Sequence, residues 1–196
     1  MSAPAITRIG RMGRWKPGAR ERLVGAALEL FAEDGFEQTT VAGIAQRAGV
    51  TERTFFRHFT DKREVLFEGS ATLQATVVDA IASAPPDLTP LEVVAGAYEA
   101  IGPFFADRLP FARRRAAAIA ANTSLQEREL LKLATLGAAS AAALRERGVP
   151  EPAATLAAEI GVTVFSVGFR KWIGGQDDDV TKCIRETFDE LDTLTA

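Results

Sequence analysis

Arg53, Arg57, His58 and Lys62 place four nitrogen-bearing side chains within ten residues, interleaved with Phe55, Phe56 and Phe59. A guanidinium is a planar fork of donors that fits a phosphate or the edge of a guanine; an ammonium is a point donor for the same anions. The spacing separates two jobs. Phe55 and Phe59 are four apart and share one side of a helix, while Glu52, Arg53, Phe56 and Arg57 fall on another. One face is apolar enough to be buried, and the other is cationic and free to be presented.

Two short helices must hold that arrangement. Thr40 is a natural N-cap for a helix carrying Val41, Ile44, Ala45 and Ala48 inward. Gly49 ends it, and Thr51 caps the next helix, Glu52 to about His58. Helices of about seven or eight residues do not persist alone in water. They need a packed face, which explains the phenylalanines. Two short helices joined by "AGVT" form a helix-turn-helix, whose second helix enters the DNA major groove with its first residues at the base edges.

The charge distribution agrees. The 196 residues carry a net charge of −3, but residues 1–22 hold Arg8, Arg11, Arg14, Lys16, Arg20 and Arg22 against Glu21 alone. From residue 69 onward 12 basic residues face 17 acidic ones. A basic front on an acidic body is a footprint for an anionic partner at one end. With one histidine and one cysteine, Cys183, no disulfide and no His/Cys metal set can form within the chain. No phosphate-binding glycine loop and no nucleophile elbow is visible, so neither an enzyme nor a cofactor is expected. The lone cysteine and the missing apolar leader indicate a cytoplasmic protein. The most apolar run, "LAAEIGVTVFSVGF", is too short and contains Glu159, so a buried helix and no membrane partner are expected.

The segment Thr39 to Phe67, "TTVAGIAQRAGVTERTFFRHFTDKREVLF", closely resembles the DNA-binding signature of the tetracycline-repressor (TetR) family, and the match covers about residues 18–68. The resemblance implies an all-α homodimer of about nine or ten helices that binds a palindromic double-stranded operator and is usually a repressor. Its variable C-terminal body usually senses a small molecule. Position by position, Thr40 and Lys62 match phosphate contacts, Thr51, Arg53 and Arg57 match the recognition helix, and His58 matches a histidine near the DNA backbone. Phe56 stands where the family commonly has tyrosine. It has no hydroxyl for a phosphate, and a thymine methyl or a sugar is its expected contact.

The remaining sequence reads as helix, with nine expected in all: over 17–34, 40–48, 51–58, 61–84, 90–106, 110–122, 124–147, 152–174 and 180–195. Residues 1–16 read as a basic arm, 17–68 as the helix-turn-helix domain and 69–196 as a ligand-binding and dimerisation body. Tyr98, Ile101 and Phe105 share one helical face, and Phe165, Phe169 and Trp172 share another. Such clusters form either plain core or, with an arginine such as Arg114, a cavity for an apolar effector. The C-terminal "GFRKWIGG…FDELDTL" is similar to a subgroup of regulators that sense acyl-CoA-type ligands. Arg113–Arg115 is either a solvated run or an anion clamp. The helix over 152–174 is apolar nearly all round, so Gly161, Phe165 and Gly168, with Ile184, Phe188 and Leu191 of the last helix, are the expected dimer contacts.

Overall fold

The computed structural model describes residues 18–195. The basic arm, residues 1–16, and Pro17, the first residue of the helix expected over 17–34, lie outside them. The described residues form an all-α fold, without strands. The head holds α1 (Ala19–Glu33), α2 (Val41–Arg47), α3 (Glu52–His58) and a 3-10 turn (Glu64–Phe67). The body holds α4 (Ser70–Ser83), α5 (Pro90–Glu99), α6 (Gly102–Phe105), α7 (Leu109–Ala120), α8 (Thr123–Glu146), α9 (Ala153–Ile173) and α10 (Val180–Thr195).

Local chemistry explains the boundaries. After α1, Gly35 turns left-handed (φ 80°) and Phe36 folds back so that its ring lies 5.2 Å from that of Phe31. α5 starts with a capping box, in which the Glu92 N–H donates to Thr89 Oγ1 and the Thr89 N–H donates to Glu92 Oε2, with Pro90 in the first turn.

Two expected helices are each broken in two. Asp61 Oδ1 accepts from the Arg63 and Glu64 N–H groups as expected of a cap, but it starts only the 3-10 turn. Gly69 then adopts φ 88° and α4 begins anew at Ser70. The glycine is required twice over: the φ is left-handed, and a Cβ there would sit 2.6 Å from the Phe104 ring. The helix expected over 90–106 stops after Glu99 and resumes as the single turn α6, in which Pro103 supplies no N–H.

Two apolar cores result. The head core gathers Leu23, Phe31, Ile44, Phe55, Phe59 and Leu66, and it is closed by Ile119 of α7 and Leu125 of α8. The body core surrounds α9, which packs against α5, α8 and α10. By length and composition α9 could cross a membrane, but its buried face makes it a core helix.

The glycines of α9 correct the expected dimer contacts. A Cβ on Gly161 would collide with Val94 and Tyr98 of α5, and one on Gly168 would lie 2.9 Å from the Ile184 Cα and 3.0 Å from the Cys183 carbonyl oxygen of α10. Both glycines therefore serve close packing inside the chain. Phe165, Ile184 and Phe188 are buried in its core, and Leu191 packs on the core's edge. The opposite side of α9 is partly open: Leu156 and Thr163 are exposed, while Ile160 and Val167 are half-buried and Ile160 also packs on the core. Leu156, Ile160, Thr163 and Val167 follow one another at i, i+4, i+7 and i+11, and Leu156 is 59% exposed.

Candidate nucleic-acid interface and body cavity

The turn between α2 and α3 is closed by backbone. Gly49 takes φ 66°, its N–H donates to the Gln46 carbonyl, and the Val50 N–H donates to the Ala45 carbonyl. Thr40 Oγ1 accepts from the Gly43 N–H at 3.0 Å, and Thr51 Oγ1 accepts from the Thr54 N–H at 3.2 Å. Both hydroxyls thus fix helix starts, and both residues are exposed. The Thr40 hydroxyl proton is left over for an outside acceptor. Thr51 also shares a hydrogen bond with the Thr54 hydroxyl.

α3 is pinned as its spacing predicts. Phe55 is fully buried, with ring centroids 5.6 Å from Phe59 and 5.4 Å, edge to face, from Phe56. Arg20 lies over the Phe59 ring at 5.3 Å. Phe56 itself is 56% exposed beside Arg53 and Arg57, which are also exposed.

What distinguishes these two arginines is the fate of the other head cations. Arg20 pairs with Glu68, Arg22 donates to the Ala48 carbonyl, Arg47 bridges Glu29 and Glu33, and Arg63 pairs with Asp61. Arg47 holds the Glu33 carboxyl below the usual carboxylate range. Among the described arginines and lysines of the head, only Arg53 and Arg57 have neither a carboxylate nor a carbonyl partner.

Lys62 is placed differently from expectation. Its ammonium donates to the carbonyls of Phe36 (2.7 Å), Glu37 (3.2 Å) and Thr39 (2.9 Å), and it lies 4.3 Å from the centre of the Phe36 ring. All three donors are spent on the loop after α1, leaving none for a phosphate. Lys62→Met is therefore expected to cost about 1.5–3 kcal/mol of stability in urea unfolding, with little loss of DNA affinity in the folded protein. A large affinity loss at unchanged stability would restore the phosphate role. His58 is half-buried with Nε2 turned inward, where no described residue partners it.

The body holds a cavity of about 340 Å3 between α4, α6, α7, α8 and α9. Its apolar wall is Phe104, Phe105, Phe165 and Phe169, with Leu133 and Leu136. Three of the seven expected effector residues, Phe105, Phe165 and Phe169, line it. Tyr98 and Ile101 do not; they are fully buried behind it, the Tyr98 ring 5.7 Å from that of Phe165. Burial pushes the Tyr98 phenol up to about 12. Its hydroxyl has no partner at full hydrogen-bonding geometry among the described residues, and nearby Ser140, whose own proton goes to the Leu136 carbonyl, offsets the rise only in part. Trp172 is also core, its Nε1 donating to the Asp178 carbonyl at 3.1 Å.

Arg114 points outside, with Nε directed at its own helix at Pro110. The residue after it does line the cavity. Arg115 donates from Nε to the Leu66 carbonyl at 2.7 Å, grips Glu129 with both terminal nitrogens, and lies 5.1 Å from the centre of the Phe67 ring. Three consecutive arginines do not by their order show which one faces inward, because each residue turns the helix by 100°. Arg108, Arg128 and Lys132 also line the cavity and carry no signal in the sequence.

The comparisons with known proteins follow this division. Residues 23–68 match the family model described as bacterial regulatory proteins, tetR family. The chain is 39% identical over 82 residues to the HTH-type transcriptional regulator TcmR of Streptomyces glaucescens, covering 42% of this chain and 36% of that protein. It is 38% identical over 45 residues to the fatty acid metabolism regulator protein of Bacillus subtilis, covering 23% of each. The matched segments thus span little more than a third of those relatives' own lengths, or less. Solved structures resemble more of it. FadR from Bacillus subtilis in complex with stearoyl-CoA superposes with a TM-score of 0.60 at 19% identity, over 86% of this chain and 95% of that one. A TetR-family regulator from Syntrophomonas wolfei gives 0.62 at 16% identity, over 90% and 94%. At these identities they establish the shared all-α architecture.

Proposed function

Since the chain belongs to the tetR family of bacterial regulatory proteins through residues 23–68, we propose that it is a cytoplasmic, ligand-responsive repressor that binds a palindromic DNA operator as a homodimer. One observation carries the reading: of all the described head cations, only the two on the exposed face of the pinned helix α3 are unspent. Arg53 lies in the first turn of α3, where base edges are met, and Arg57 one turn later. Thr40 and Thr51 present hydroxyls to the backbone, and Phe56 offers an apolar face for a thymine methyl or a sugar, while His58, at the last position of α3, turns its Nε2 inward. Lys62 positions the loop rather than the DNA.

Two copies joined along the partly open stripe Leu156, Ile160, Thr163 and Val167 of α9 would hold two heads at fixed separation, as a palindrome requires. The cavity is of a size typical for small ligands at the lower end. A stearoyl-CoA-bound neighbour of the same fold supports an apolar or acyl-CoA-like effector.

The test is selection of bound fragments from random duplex DNA, followed by binding to the selected duplex across salt concentrations. A palindromic consensus is expected, with log affinity falling linearly in log salt by about 0.9 per phosphate neutralised. Binding without salt dependence, or no selected sequence, would remove the proposal. Sedimentation showing only monomer at micromolar concentration would remove the dimer.

A further inference from the structure

The cavity's cations also serve as the clasp of the head. Arg115 holds the Leu66 carbonyl, Arg128 Nε donates to Glu64 Oε1 at 2.6 Å, and Lys132 lies 3.5 Å from Glu64 Oε2. All three side chains line the cavity, and all three grip the same 3-10 turn, Glu64–Phe67. That turn inserts Val65, Leu66 and Phe67 into the head core and is followed by the left-handed Gly69, so it is the joint between head and body.

The cavity is also unbalanced in charge. Arg108, Arg115, Arg128 and Lys132 line it against Glu68 and Glu129. Arg108 stacks over Phe104 at 4.6 Å and has no carboxylate partner among the described residues. Burial pushes the Glu64 carboxyl up, but Arg128 and Lys132 outweigh it, so the group stays below its ordinary range and ionised. The Glu64 side chain is 22% exposed and its partners 30% and 29%. An incoming anion would therefore meet these cations already held by a partly desolvated carboxylate.

We infer that the effector is an amphiphile with an apolar chain and one anionic end, and that this end displaces Glu64 from Arg128 and Lys132, loosening the joint beneath the reading helix. The chain lies against Phe104, Phe105, Phe165 and Phe169. A neutral ligand of the same length fills the apolar wall but leaves the clasp closed. The consequence for DNA rests on the repressor reading; the exchange of anions does not.

Dodecanoate and 1-dodecanol, equal in chain and different in charge, are the probes, titrated calorimetrically into the full-length protein. Dodecanoate is expected to bind at least tenfold more tightly than the alcohol. Glu64→Gln removes the competing anion and keeps the side-chain shape. It is expected to bind dodecanoate at least threefold more tightly than the parent and the alcohol unchanged. Arg128→Met with Lys132→Met is expected to lose at least tenfold for dodecanoate alone, with circular dichroism confirming the fold. Equal binding of acid and alcohol, no binding of either, or a Glu64→Gln affinity for dodecanoate equal to or below the parent's would overturn the inference. On a selected operator, dodecanoate should weaken parent binding at least tenfold and Glu64→Gln binding less than twofold; a Glu64→Gln protein as responsive as the parent would overturn it too. Failure to select any operator would sink the repressor reading and leave the calorimetric result standing.

Discussion

Arg53→Ala is expected to abolish sequence preference at one base pair of each half-site and to weaken operator binding by about 2–6 kcal/mol in the dimer. The estimate is about 1–3 kcal/mol for each good bidentate arginine–guanine pair, counted once per head. Arg53 is the second residue of α3, exposed, and free of any partner among the described residues. Its fork can reach a base edge without first breaking an internal bond. For the same reason its removal should not unfold the protein; exposed substitutions away from caps and networks stay within about 0.5 kcal/mol. Arg57, one turn further from the helix start, meets the backbone more readily than the bases. Arg57→Ala should weaken all sequences alike and flatten the salt dependence by about two phosphates, one per head. Gel-shift titrations of both variants on the selected duplex and on single-base variants separate the two roles. Unchanged affinity for Arg53→Ala would remove α3 as the reading element.

The head was legible in the sequence because its structure is local. Thr40, Gly49 and Thr51 fix helix ends through bonds spanning three to five residues, and Phe55 and Phe59 reveal their face by a spacing of four. Lys62 was not legible. Its three carbonyl partners lie 23 to 26 residues away, and nothing in a motif distinguishes an ammonium that meets a phosphate from one that meets a loop. The break at Gly69 is of the same kind, since Phe104, 35 residues on, is what a side chain there would strike. Gly161 and Gly168 signalled close helix approach correctly, but not which helix approaches. The partners are α5 and α10 of the same chain, and the partly open stripe lies on the other side of α9. The polar wall of the cavity was hidden because its cations come from α7 and α8, whose meeting with the 3-10 turn is purely tertiary.

Phe55→Ala is expected to destabilise the protein by about 3–5 kcal/mol, the usual cost of removing a fully buried phenylalanine and leaving its space unfilled. The loss should be uneven. α3 has only seven residues and holds its shape through packing, with Phe55 at the centre of contacts to Phe56 and Phe59. Without that ring the second helix of the turn loses its anchor while the body core around Trp172 keeps its own. Hydrogen exchange should therefore accelerate first in α2, α3 and the 3-10 turn, with α8, α9 and α10 still protected. DNA binding should vanish although both reading arginines are present, because their helix no longer presents them at a fixed angle. The body cavity should still take dodecanoate, at least as tightly as in the parent, because its aromatic wall of Phe104, Phe105, Phe165 and Phe169 belongs to the body core and a loosened 3-10 turn only weakens the competing Glu64. A stability change below about 1 kcal/mol, or uniform exchange across head and body, would show that the aromatic pin is not what holds the reading helix.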